Sequence, residues 1–296
     1  MMLRVKMPIR TGLDMLRLQG DVIWASFEFA AKAMSEPLLN SLAKKGNGTT
    51  PVMTLPGFTG PEFSLSPLNR FLRENGYDAH SWGLGTNRGP RNLEYLDTMS
   101  EVLGDRIKSM ADEAGEQVSL IGQSLGGVYA RELARRHPKE VDRVITLGTP
   151  AHVESTHAHP VNKLVAQAMM FYTGRKVHEH LEEAEKSERK ILEPPPKVPL
   201  VAVFSPLDGV VSRETTSIPD EFLRVKDGVP RENIEILCSH CGMALNPLVL
   251  LAVADRLAQD KTNWVPFDPT EYAKGPARLL SRWVYPHGIK SPTPVS

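Results

Sequence analysis

The feature that most constrains this chain is the pentapeptide Gly122-Gln123-Ser124-Leu125-Gly126, set between the apolar run Val118-Ser119-Leu120-Ile121 and a helical pattern from Leu125 to about Arg136. A strand that turns sharply into a helix at a serine needs glycine on either side, because a Cβ there would keep helix and strand apart. The G-x-S-x-G pattern is short and arises by chance in many chains. In a strand-turn-helix setting it becomes a candidate nucleophile elbow, with Ser124 as the activated group.

The neighbourhood of the elbow repeats its grammar. From Pro51 onward, short apolar runs alternate with helical patterns, which predicts a mostly parallel sheet flanked by helices and built from βαβ units. Strands are expected over Val52–Leu55, Ala79–Trp82, Val118–Ile121, Val144–Leu147, Leu200–Phe204 and Ile234–Leu237. Helices are expected over Ser66–Asn75, Asn92–Ala114, Leu125–Arg136 and Pro247–Gln259, with a last short one over 277–285. One interval breaks the rhythm: between the fourth strand and the fifth lies the stretch Ala151 to Pro199, nearly fifty residues, where short connections are the rule. The chain therefore divides into an N-terminal helical extension (1–50), a first half of the α/β core (51–150), a helical cap or lid insertion (151–198), the second half of the core (199–260) and a C-terminal tail (261–296).

A serine hydroxyl is a poor nucleophile until a histidine takes its proton, and the histidine needs a carboxylate to hold its tautomer. Two strand ends downstream of Ser124 supply both. Leu200–Phe204 runs into Ser205-Pro206-Leu207-Asp208-Gly209, and Ile234–Leu237 runs into Cys238-Ser239-His240-Cys241-Gly242. All three residues follow a strand, at the sheet edge where parallel sheets hold ligands. Asp208 is thus the expected acid and His240 the expected base. Taken singly, Asp208 could cap a turn, His240 could be a loop histidine and Ser124 could sit in a Gly-rich turn. Their shared order and position favour the triad.

An oxyanion hole needs donors already aimed at the oxygen that becomes negative. The backbone N–H of Leu125, at the start of the helix after the elbow, is one candidate. The other is the N–H of Phe58, in the loop Thr54-Leu55-Pro56-Gly57-Phe58-Thr59-Gly60 that ends an early strand.

With these segments in place, the chain resembles the α/β-hydrolase superfamily, and within it the bacterial serine lipase and esterase branch. The resemblance is carried by Leu55-Pro56-Gly57-Phe58, Gly122 to Gly127, Thr146-Leu147-Gly148-Thr149-Pro150, Asp208-Gly209-Val210-Val211 and Ser239-His240-Cys241-Gly242-Met243, across roughly residues 51–259. It implies the α/β-hydrolase fold with a helical cap insertion, and ester cleavage through an acyl-enzyme. In that chemistry Ser124 is the nucleophile, His240 the base and then the acid, and Asp208 the residue that orients it. Pro56 stands where many lipases carry a histidine, and Ala151-His152-Val153 follows Gly-Thr-Pro where His-x-Gly is common. Those departures weaken any claim of triacylglycerol lipase activity.

The expected substrate is a small-molecule or lipid ester with an apolar part, walled by Met169, Met170 and Phe171 of the cap and by Phe58. An acyltransferase using the same triad and a non-catalytic binding protein on the same fold are the rival readings. With 35 basic and 35 acidic side chains the net charge is zero, so nothing global points to nucleic acid. Neither a phosphate-cradling P-loop nor a dinucleotide G-x-G-x-x-G occurs, so no cofactor is implied. Cys238 and Cys241 form a C-x-x-C without a second pair, which falls short of a structural zinc site. The histidines at 152, 157, 159, 178 and 180 lack a carboxylate pattern, so no metal is expected.

Two cysteines, no clean secretory signal and no spanning helix point to a cytoplasmic protein. The helical pattern from Thr11 to Lys45 has Leu13, Leu16, Ile23, Phe27, Ala30 and Met34 at helical spacing. An apolar stripe of this kind is expected to dock on the domain or on a second copy. Peripheral contact with a membrane surface is the rival placement, opposed by Asp14, Asp21 and Glu28 among its polar residues. Oligomeric state is not legible.

Overall fold

The computed structural model describes residues 11–89, 93–150, 195–211, 213–224 and 227–272. The expected cap, including Met169, Met170 and Phe171, lies outside these residues apart from its last few positions, as does the expected helix over 277–285. The described elements run α1 (Thr11–Leu42), β1 (Pro51–Leu55), α2 (Ser66–Glu74), β2 (Asp78–Ser81), α3 (Leu93–Ala114), β3 (Val118–Gln123), α4 (Leu125–Arg136), β4 (Val141–Leu147), β5 (Leu200–Phe204), the short α5 (Arg213–Thr216) and α6 (Asp220–Leu223), β6 (Arg231–Glu235) and α7 (Pro247–Leu257).

The six strands form one sheet in the order β2-β1-β3-β4-β5-β6, and every neighbouring pair is parallel. Successive residues of a strand point to opposite faces, and both faces are covered, so the strands read as continuous apolar runs. Val52, Ile121, Ile145, Val201 and Val203 face a layer containing Leu39 of α1, Phe71 and Leu72 of α2, and Val249 to Ala254 of α7. Met53, Leu120, Val144, Leu200 and Ala202 face the opposite layer, with Leu103 and Ile107 of α3 and Tyr129, Ala130 and Leu133 of α4. The order reverses between β1 and β3, which opens a crevice at the carboxyl ends of these strands.

Two expectations are corrected. The last strand is Arg231–Glu235, three residues before the apolar run that marked it. Its register against β5, from Leu200 opposite Arg231 to Phe204 opposite Glu235, buries charged residues that find partners. Arg231 pairs with Asp227 at 2.6 Å, and Glu232 pairs with Arg256 at 2.6 Å. The second correction concerns α1, whose apolar stripe faces away from the body. Phe27 is 65% and Met34 86% exposed, whereas Asp21 and Glu28 are 3% and 5% exposed. The polar face is inside because loop N–H groups beneath it receive the carboxylates.

Candidate active site

Ser124 joins β3 to α4 with φ 51° and ψ −123°, a conformation most side chains avoid. Its N–H donates to the carbonyl of Leu147 on the neighbouring strand at 2.8 Å, which fixes the turn to the sheet. The flanking glycines are required by contact. A Cβ on Gly126 would run into the carbonyls of Leu55 and Pro56, and one on Gly122 would run into Gly126 and Gly127. Leu125 is the first residue of α4 and is half-buried, as is Phe58.

Asp208 lies on the turn after β5, where its Oδ1 accepts from the N–H groups of Val210 at 2.8 Å and Val211 at 2.7 Å. Its other oxygen, Oδ2, lies 2.7 Å from Nδ1 of His240, and both side chains are almost wholly buried. His240 is held from three sides. Its N–H donates to Asp21 Oδ1 at 2.6 Å, its carbonyl accepts from Nε2 of Gln123 at 2.9 Å, and its ring meets Asp208. The Gln123 bond ties the base loop to the elbow itself, since Gln123 immediately precedes Ser124. Burial pulls the imidazole pKa down; the charge and hydrogen bond of Asp208 and the more distant charge of Asp21 more than reverse this, leaving it raised above 6.5.

The early loop reaches the same place. A Cβ on Gly57 would stand 3.2 Å from the Ser124 Cβ. Asn87 braces that loop: its Nδ2 donates to the Pro56 carbonyl at 2.7 Å, its carbonyl accepts from Thr59 N–H at 2.7 Å, and its N–H donates to the Gly60 carbonyl at 2.9 Å. Ser124, Asp208, His240 and the loop with Phe58 are therefore brought to one edge of the sheet. The sequence pattern assigns none of Asn87, Asp21 and Glu28 to the site: Asp21 and Glu28 count there only as polar residues of the N-terminal helix, and Gln123 only as the variable position of the elbow. Gly148, at φ +57°, completes the floor: a Cβ there would be 3.0 Å from His240 Nδ1 and 3.1 Å from Asp208 Oδ2.

Both cysteines are free thiols, Cys238 buried and Cys241 exposed. Although Cys241 as a residue is exposed, local desolvation pushes its thiol up to about 12, and the charge and hydrogen bond of Asp21 add to that. Among the described residues no group of three or more His, Cys, Asp or Glu side chains is placed to hold a metal ion.

Comparison with known proteins accords with this architecture. The family described as "Putative esterase" matches residues 73–192, a stretch that includes Ser124 and stops before Asp208 and His240. Among solved structures, a mature-form lipase of Bacillus licheniformis superimposes with a TM-score of 0.51 at 17% identity, covering 72% of this chain and 94% of that one. A soluble variant of the monoglyceride lipase of Saccharomyces cerevisiae, bound to a substrate analogue, gives 0.52 at 14% identity over 75% and 91%. A structure from work on the metagenome-derived lipolytic enzymes LipS and LipT gives 0.50 at 16% identity over 73% and 95%. The chain has the α/β-hydrolase fold. No protein of curated function matches it by sequence. At these identities the structures speak for the fold, and the family match supports ester hydrolysis in general terms. On this fold the residues that do chemistry are then a matter of the site's own geometry.

Proposed function

We propose that the protein is a serine hydrolase that cleaves carboxylic esters through an acyl-enzyme. The observation that carries the reading is the buried 2.7 Å contact of His240 Nδ1 with Asp208 Oδ2, on a loop bonded through Gln123 to the elbow serine. With Nδ1–H donated to Asp208, Nε2 is the nitrogen left to take the Ser124 proton. Ser124 Oγ attacks the ester carbonyl, and the resulting oxyanion is received by the N–H groups of Leu125 and Phe58. The imidazolium returns its proton to the departing alcohol. Water, activated by the same imidazole, then releases the acid and restores the serine.

A fluorophosphonate probe and a panel of p-nitrophenyl esters of increasing acyl length test this. Labelling of the folded protein that is lost in Ser124→Ala, with kcat falling at least about 10⁴-fold, is the expected result. A folded wild type that neither labels nor hydrolyses any ester would be a binding protein on a hydrolase fold. A competing alcohol in the assay separates hydrolysis from acyl transfer through the ratio of free acid to new ester.

Peripheral contact of α1 with a lipid surface is part of the same reading. Between positions 21 and 42 the only charged residues are Asp21, Glu28, Lys32 and Glu36, and all of them lie on the arc facing the body. The outer arc presents Ile23, Trp24, Phe27, Met34 and Leu38, with Trp24 and Phe27 rings 6.3 Å apart. Such an arc loses no charge hydration on entering the headgroup region, where tryptophan is favoured. Among the described residues no helix is long and apolar enough to cross a membrane, so the contact is one of lying on the surface. Cosedimentation with phosphatidylcholine–phosphatidylglycerol vesicles, reduced in Phe27→Ser, is expected. A Phe27-dependent dimer that ignores vesicles would instead assign this arc to a second copy.

A further inference from the structure

Two carboxylates of α1 end at the catalytic loops, although the serine, acid and histidine order calls for nothing from this helix. Asp21 and Glu28 are separated by about two turns and share one face. Asp21 Oδ1 accepts from the N–H of His240 at 2.6 Å and of Gly209 at 3.1 Å, and its Oδ2 accepts from the N–H of Cys241 at 2.9 Å. Glu28 accepts from the Ser239 N–H at 3.2 Å, from the Ser239 hydroxyl, and from Nδ2 of Asn246 at 2.9 Å. Asn246 in turn caps α7, its side chain accepting from Leu248 and Val249 N–H groups. One helix thus grips the loop after β5, the loop after β6 and the start of α7.

Anchoring a helix does not require this chemistry. At its far end Leu39, and Ala43 just beyond it, dock it by apolar burial, helped by a neutral amide–amide hydrogen bond from Asn75 to Asn40 at 2.9 Å. A buried carboxylate costs several kcal/mol unless its lone pairs are satisfied, and among the described residues neither Asp21 nor Glu28 has a lysine or arginine partner. Burial raises the Glu28 pKa even against the hydrogen bonds from Ser239 and Asn246. The carboxylates sit where backbone donors of the acid and base loops converge, and a Cβ on Gly242 would collide with Glu28, so that glycine keeps room for it.

We propose that Asp21 and Glu28 are positioning residues of the ester-hydrolase site, with α1 setting the backbone of both catalytic loops so that His240 faces Ser124. The inference rests on the proposed function of that site. It adds that α1 is a working part of the catalytic machinery. The groups around the His240 ring and backbone are Asp208 from the loop after β5, Asp21 from α1, and the neutral thiols of Cys238 and Cys241, with Glu28 acting through Ser239. Asp21 therefore has a second effect, since its negative charge favours the protonated imidazole.

The test uses the full chain with Asp21→Asn and Glu28→Gln. Asparagine keeps the shape but turns an acceptor into a donor facing loop N–H groups, so kcat should fall about tenfold to a hundredfold, with KM within about twofold. The acid limb of kcat/KM should move to lower pH, because a negative charge beside His240 is gone. A purely structural role would lower the unfolding midpoint and leave both kcat of the folded fraction and the limb unchanged, and that outcome overturns the proposal. Should Asp21→Asn not fold, Glu28→Gln decides: kcat should drop about tenfold with the limb in place, and wild-type kcat there overturns it. A wild type without esterase activity or probe labelling would instead remove the ester-hydrolase reading, which separates the two failures.

Discussion

Two buried charged clusters occupy opposite ends of the sheet, and they follow opposite rules. At the amino-terminal end of β6, Arg256 pairs with Glu232 at 2.6 Å and with Asp255, and its guanidinium lies 5.1 Å from the Trp264 ring. Glu232 also accepts from the Trp264 indole at 3.1 Å and from the Phe267 N–H at 2.6 Å. Both carboxylates share one guanidinium, which offsets half of their charge, and the cluster straps residues 264–267 to the sheet. At the carboxyl end, Asp21, Glu28 and Asp208 gather around His240, and among the described residues none of them meets a lysine or arginine. Their oxygens are filled by backbone N–H groups, a hydroxyl, an amide and the imidazole. Charge is partly compensated where only stability is at stake. It is left negative around the one side chain proposed to become positive during the reaction.

The largest expected effect comes from removing the carboxylate that touches the imidazole. Asp208→Asn keeps the turn acceptor for Val210 and Val211 but frees the ring to adopt the wrong tautomer, so kcat should fall about 10⁴-fold while the fold persists. Steady-state kinetics beside circular dichroism checks this. A variant with near wild-type kcat would break the distinction between the clusters, since the negative end would then have no catalytic part. Arg256→Met is the mirror experiment. It strands Glu232 and Asp255 without their cation and should lower stability by about 3–5 kcal/mol in urea unfolding. Activity per folded molecule should be unchanged, because the lesion lies at the other end of β6.

How much of this was legible in the chain follows from the same contrast. Interactions built from contiguous backbone leave marks: the elbow is spelled by Gly122, Ser124 and Gly126 because each glycine relieves a local contact. Strands buried on both faces read as apolar runs, and four of the six strands fall at or within two residues of their expected limits at each end, while β4 begins three residues early, at Val141. β6 is displaced at both ends, because Arg231 is buried against Asp227, four residues earlier, and Glu232 beside Arg256 and the Trp264 indole, farther along the chain. Helix α1 misleads for the same reason. Asp21, Glu28, Lys32 and Glu36 form a stripe on one face, and a charged stripe is ordinarily the solvent side. What turns it inward is a set of loop N–H groups about two hundred residues downstream, and a backbone donor has no letter in the sequence. The stripe was visible as a pattern, and the uncharged opposite arc was the signal that could have reversed its reading.

A milder perturbation is expected from Gly148→Ala. Its positive φ strains any side chain, and the added methyl would sit against His240 Nδ1, Asp208 Oδ2 and Met243 Sδ, the last at 3.0 Å. The expected cost is about 1–3 kcal/mol of stability. Because the crowding falls on the His–Asp contact, kcat should decline about tenfold as well. Loss of stability without any loss of kcat would show that the His–Asp pair tolerates displacement, and would blunt the argument that its neighbours position it.

The smallest effect is a displacement along the pH axis, and it probes the uncompensated charge most directly. His240 titrates above 6.5 in the folded protein, burial being outweighed by Asp208 and then Asp21. The base must be neutral to accept the serine proton, so kcat/KM should fall as pH drops through a value above 6.5. Stability runs the other way. A histidine whose folded pKa is raised contributes stability that is fully present below the unfolded value of 6.5 and is lost as pH rises through the folded value. Across that one window the protein should therefore gain activity while losing the contribution of the charged His240–Asp208 pair. Urea unfolding of His240→Gln against wild type at the two ends of the window isolates that contribution, with the difference between the proteins shrinking as pH rises. An acid limb at or below 6.5, or a difference that grows with pH, would mean that desolvation wins over the carboxylates.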